Sequence, residues 1–108
     1  MQISQEPLVP DADESLDLAA LFRLLGDPTR VRLLYALLAH DELSVGALAD
    51  EIGTNDTKVS QALRLLRSAG IVRNRRDGRT IWYRLDDEHV RTLLEVCRDH
   101  LAHQDGAR

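Results

Sequence analysis

Three glycines, Gly53, Gly70 and Gly78, cut the middle of the chain into segments of readable type. Ser44, whose hydroxyl suits a helix start, precedes the run Val45 to Ile52, with Ala47 to Glu51 in its body. Gly53 stands where helices commonly end in a left-handed residue. Thr54-Asn55-Asp56 makes a turn. Thr57 to Ala69 then places Val59, Ala62, Leu63 and Leu66 at helical spacing before Gly70 stops it. Two short helices joined by a glycine-bearing turn form a helix-turn-helix. Asp77-Gly78 follows between the β-prone runs Ile71–Arg76 and Arg79–Leu85, a hairpin signal. A hairpin directly after the second helix of a helix-turn-helix is a wing.

The flanks read as helices. Leu16, Leu18, Ala19, Leu21, Phe22 and Leu25 give one apolar face from Ser15 to Leu25, and Gly26-Asp27 breaks it. Pro28 at a helix start opens a second helix carrying Val31, Leu33, Leu34, Ala36, Leu37 and Leu38, closed by His40-Asp41-Glu42. Asp86 or Asp87 caps a last helix from Glu88 to about His103. The expected architecture is mainly α with a small β-hairpin: about five helices plus a two-stranded wing, a winged helix-turn-helix. Residues 1–13, with Pro7, Pro10 and several acids, read as a disordered acidic tail, 14–104 as the folded winged helix-turn-helix domain, and 105–108 as a C-terminal tail.

The 108 residues make one domain with a modest core, small enough to gain from dimerisation. No apolar run approaches the roughly 20 residues of a membrane span. No basic-then-apolar signal opens the chain, and its single cysteine cannot form an internal disulfide. Both features fit a cytoplasmic location.

A net charge of −4 looks wrong for a nucleic-acid binder until it is divided. Residues 54–85 hold eight Lys and Arg against Asp56 and Asp77, whereas the acids dominate every other segment. One concentrated positive block suits an anion-binding face. The second helix of the pair would read base edges in the major groove with its N-terminal half. That half offers Asn55, Thr57, Lys58, Ser60, Gln61 and Arg64. Asn and Gln pair two-fold with adenine, Arg and Lys with guanine, and Ser and Thr suit phosphate oxygens. The wing adds Arg73, Arg75, Arg76 and Arg79, of which Arg75, Arg76 and Arg79 lie near the tip, placed for backbone or minor groove.

The last helix carries Asp87, His89, His100 and His103, four metal-binding side chains. Eleven residues separate His89 from His100, so at about 100° per residue they share a face. The same separation climbs roughly 16 Å, whereas imidazole–metal bonds are about 2 Å long. One helix therefore presents two half-sites, Asp87/His89 and His100/His103. An antiparallel second copy would complete each. One carboxylate and three imidazoles suit Zn(II) or Co(II). Asp87 and His89 converge only if Asp87 sits at the cap, outside helical geometry. Cys97 reads as a packing thiol and His40 as a solvated or helix-end cation. A zinc hydrolase is disfavoured, because a catalytic zinc keeps an open position in a pocket.

From Leu18 to His103 the chain resembles the ArsR/SmtB family of metal-sensing winged-helix repressors. The resemblance rests on Leu25-Gly26-Asp27-Pro28-Thr29-Arg30-Val31-Arg32-Leu33-Leu34, on Val59-Ser60, Leu63, Leu66 and Ala69-Gly70-Ile71-Val72, and on Asp77-Gly78-Arg79. The Asp87, His89, His100, His103 pattern is similar to the last-helix site of the family's zinc branch. The resemblance implies a homodimer joined through the first and last helices, binding to a double-stranded operator with dyad symmetry, and release when the effector binds. Two departures stand out. Ser44 and Gly46 occupy positions where other members carry a Cys-x-Cys metal site, so that thiolate site is absent. Gln61 stands where the family often has His, which changes base contacts and the route from metal to DNA face. Zn(II) is favoured as effector, with Ni(II) or Co(II) next, since nickel sensors resembling this chain recruit extra ligands from their tails. The alternative is a regulator of the same fold that ignores metals and answers to a partner protein or small molecule.

Overall fold

The computed structural model describes residues 8–106. Eight elements follow in order: α1 (Ala12–Leu25), α2 (Pro28–Ala39), β1 (Leu43–Ser44), α3 (Val45–Ile52), α4 (Asp56–Ser68), β2 (Val72–Asp77), β3 (Thr80–Leu85) and α5 (Glu88–Gly106). The first four helices begin the same way. Asp11, Asp27, Ser44 and Asn55 each accept a hydrogen bond from the backbone N–H three residues on, at 2.9–3.2 Å. Such caps satisfy donors that no helical carbonyl can reach. Gly53 ends α3 with φ 71°, a left-handed residue that costs glycine little.

The core is a single apolar cluster. Leu33, Leu34 and Leu37 of α2 are fully buried against Leu48 and Ile52 of α3 and Val59, Leu63 and Leu66 of α4. Ile71, Val72 and Leu85 close it from the sheet, and Val90 and Leu94 from α5. No polar side chain is buried among the described residues. Two bonds brace the periphery. The Tyr35 hydroxyl donates to the Leu94 carbonyl at 2.6 Å, tying α2 to α5, and Arg30 Nε donates to the Leu24 carbonyl at 2.7 Å, tying α2 to the end of α1.

Several expectations are revised. Helix α1 starts at Ala12, inside the stretch read as a tail, because Asp11 is a good cap and Asp13 and Glu14 suit the positive end of the helix dipole. Residues 1–7 of that tail lie outside the described residues. At the other end α5 continues to Gly106, past the expected boundary, and 107–108 lie outside the description. The wing belongs to a three-stranded antiparallel sheet of order β1-β3-β2, not a two-stranded one. β1 pairs Leu43 with Tyr83 and Ser44 with Trp82. The hairpin loop is Gly78-Arg79, since Asp77 pairs with Thr80. Gly78 alone takes the positive φ, 63°, which matches the turn with glycine first rather than the Asp-Gly form.

Helix α1 has no buried residue, and Leu16 and Phe22 are 68% and 64% exposed. Val96 and Leu101 of α5 are likewise open, at 57% and 60%. Among the described residues nothing covers these apolar side chains.

The core assignment has a direct test in urea denaturation. Leu37→Ala should lower the unfolding free energy by about 2–5 kcal/mol, the cost of a buried leucine cavity. Leu65→Ala, at a position 49% exposed, should change it by no more than about 0.5 kcal/mol.

Candidate nucleic-acid interface and metal half-sites

Burial of Val59, Ala62, Leu63 and Leu66 turns the opposite side of α4 to solvent. Thr57, Lys58, Ser60, Gln61 and Arg64 are all exposed there. Asn55 is exposed too, but its Oδ1 accepts from the Lys58 amide at 2.9 Å. One lone pair of its carbonyl is therefore engaged by the cap, and the side-chain amide and the second lone pair remain open to a base. A cleft of about 420 Å³ separates α4 from the wing, lined by Ser60, Leu63, Arg64, Arg67, Ser68 and Tyr83. Arg67 and Tyr83 were not among the residues read from sequence. Arg67 follows Arg64 by three residues, the helical spacing that signals one flank, whereas Tyr83 shows itself only once the sheet register is known.

The wing arginines are not equivalent. Arg76 and Arg79 are exposed at the hairpin end. Arg75 is engaged: its Nε and one terminal nitrogen donate to the two Glu42 oxygens, both at 2.8 Å. Arg73 lies 3.4 Å from Asp86.

In α5, Asp87 is the cap. Its Oδ1 accepts from the His89 and Val90 amides at 2.8 and 3.2 Å, and the His89 ring Nδ1 lies 3.3 Å from the same oxygen. Cap geometry thus brings the carboxylate and ring together, with Asp87 Oδ2 still available. His89 is fully exposed. His103 Nδ1 is 2.9 Å from the Asp99 carbonyl, a bond that fixes one tautomer and leaves Nε2 free. His100 is exposed on the same stretch. No three such groups among the described residues surround one point. The donor chemistry fits a borderline divalent metal, but the described chain brings only Asp87 and His89 within contact of one another.

Helix α5 is unbroken, so His89, Leu93, Val96, His100 and His103 fall at alternating steps of four and three residues. That spacing forms one seam on a helix, the pattern by which helices pack side by side. Histidines occupy its ends and apolar residues its middle. Cys97 sits beside this seam and is exposed rather than packed. His40 Nε2 lies 3.3 Å from Glu51, pairing α2 with α3 at the surface.

The comparisons with known proteins agree on one family. The bacterial regulatory protein arsR family model matches residues 27–74. KmtR, an HTH-type transcriptional regulator of Mycobacterium tuberculosis, is 49% identical over 89 residues, covering 82% of this chain and 66% of that protein. A transcriptional repressor SmtB homolog of Synechocystis sp. is 41% identical over 100 residues, covering 93% of this chain and 75% of that one. The crystal structure of M. tuberculosis Rv0081 superposes with a TM-score of 0.78 at 34% identity, covering 92% of this chain and 98% of that one. The chain belongs to the arsR family of bacterial regulatory proteins, and it is a winged-helix transcriptional regulator rather than an enzyme.

Proposed function

We propose that the chain acts as a homodimeric repressor whose hold on a dyad operator is released when Zn(II) binds between two subunits. Ni(II) or Co(II) ranks next. The observation that carries this reading is the α5 seam, with half a ligand set at each end and exposed Leu93 and Val96 between them. Laid antiparallel on a second copy, the seam would cover its apolar middle and bring Asp87 and His89 of one chain to His100 and His103 of the other. The exposed Leu16 and Phe22 of α1 supply further apolar surface for the same dimer. Three imidazoles and one carboxylate favour a tetrahedral ion, and nickel prefers more N/O ligands than four.

On the DNA side, Thr57, Lys58, Ser60, Gln61 and Arg64 would enter the major groove, with Arg76 and Arg79 on the flanking backbone. Arg67 would meet the phosphates that run through the cleft beside α4. Release follows from linkage. A bound ion that favours a subunit arrangement poorly spaced for DNA must weaken DNA binding, and DNA must weaken metal binding by the same factor.

Two measurements check this. Zinc titrated into the purified protein should reach one ion per chain and lower affinity for a duplex selected by the apo-protein from a random pool, by about 5- to 150-fold. The double variant His89→Ala/His100→Ala should bind the same duplex and ignore zinc. Release of the double variant by zinc would make the ligand assignment wrong. A wild-type protein that binds no metal would favour control by a partner protein or small molecule. Separately, Val96→Glu should sediment as a monomer and lose tight zinc binding, because each chain then offers only a half-site.

A further inference from the structure

Strand alternation sorts the wing arginines by face. Cross-strand partners in an antiparallel pair project to the same side. Val72 pairs with Leu85, Asn74 with Tyr83 and Arg76 with Ile81. Val72 and Leu85 are buried and Tyr83 packs on the core, so this is the side that faces α4. Arg73, Arg75, Trp82 and Arg84 project from the other side. Arg75 therefore leaves the sheet away from the reading helix, and Arg76 leaves it toward that helix.

On its own side Arg75 is held by two neighbours, although its side chain remains 53% exposed. Its fork grips Glu42 through two 2.8 Å hydrogen bonds while its guanidinium carbon lies 5.9 Å from the centre of the Trp82 ring. Glu42 immediately precedes β1, and β1 leads into Ser44, the cap of α3. The bridge thus spans all three strands, from β2 over β3 to the entry of the helix-turn-helix. β1 contributes only two residues to the sheet, so its backbone alone is a short hinge. A bidentate pair adds an angular restraint that a single point contact lacks.

We propose that Arg75 is a positioning residue: held by Glu42 over Trp82, it sets the angle of the wing against the helix-turn-helix, and Arg76 and Arg79 carry the wing's DNA contacts. Exposed ion pairs add little to stability, so the value of this one lies in orientation. The charge environment agrees. The hydrogen bond from Arg75, with further help from Arg84 and Arg73, holds the Glu42 carboxyl below its usual range. A depressed folded-state value means the bridge is intact above the ordinary carboxylate pKa and is lost as pH falls through the lower, folded one.

The test uses the full chain, a fluorescent random-sequence duplex and fluorescence anisotropy at fixed low salt. Glu42→Gln removes a negative charge, which by itself should tighten DNA binding. Positioning gives the opposite sign: binding weakens by about threefold to tenfold. Arg75→Gln should weaken it equally, and the double variant should lose no more than either single one. Arg75→Lys keeps the charge but loses the fork, so it should behave like Arg75→Gln. Trp82, the only tryptophan, should become more open to acrylamide quenching in each variant. Its emission should also titrate in acid in the wild type and not in Glu42→Gln. Glu42→Gln binding as tightly as wild type or tighter, or Arg75→Lys retaining wild-type affinity, would overturn the proposal and return Arg75 to the phosphate contacts.

Discussion

The packing of α2 against the helix-turn-helix is the contact on which the rest of the molecule depends. Leu33, Leu34 and Leu37 meet Leu48, Ile52, Leu63 and Leu66 with no accessible surface worth the name, and no polar side chain intrudes. Apolar burial has no direction, so what gives this cluster a unique arrangement is the punctuation around it. Five side-chain caps fix where the helices start, and a left-handed glycine fixes where α3 stops. The reading face of α4 is then simply the side that the core does not use. One cluster of this size also cannot cover everything. Helix α1 and the outer seam of α5 are left with apolar side chains in water, and their association with a second copy is the natural remedy.

Charge is divided along the same lines. The basic block of the chain becomes α4 and the wing, with only Asp56 and Asp77 among its cations, and the other acids of the described residues fall on or beside α1, the α2–α3 connection, α3 and α5. A polyanion would thus be drawn to one side of the molecule despite the net negative total. Glu42, on the α2–α3 connection, is the acid that reaches into basic territory, where it pairs with Arg75. A lone carboxylate there would repel phosphate, and the pairing removes that penalty.

Helix identities were legible because their signals are local. Asp27-Pro28, Ser44, Gly53 and Gly70 act within a few residues of themselves. The short β1 was not legible, since two residues carry no period, and its existence depends on Trp82 and Tyr83 lying nearly forty positions away. The wing's phase was missed by one residue for a related reason. Asp77-Gly78 scores as a turn, yet Asp77 pairs with Thr80 and the loop moves on to Gly78-Arg79. The wing arginines are dealt to the two faces by that pairing, so their roles were out of reach of spacing alone. Asn55 illustrates a different limit. Its residue type suits both a cap and a base contact, and the observed bond to Lys58 N shows the first of these roles, which spacing alone does not reveal. The proposed metal ligands were legible as types and spacings, but the meeting proposed for them would take a second chain, which no intrachain pattern can display.

The bond between the Tyr35 hydroxyl and the Leu94 carbonyl fastens α5 to α2 near the middle of the His89–His103 stretch. Arg98 lying 5.4 Å from the Tyr35 ring reinforces the join one turn later. Val90 and Leu94 are buried in the core, and every residue from Glu95 to Gln104 is exposed. The tie therefore marks the point at which α5 leaves the domain: its first turns belong to the same packed unit as α2, and its last turns stand clear of the core with their side chains offered to solvent.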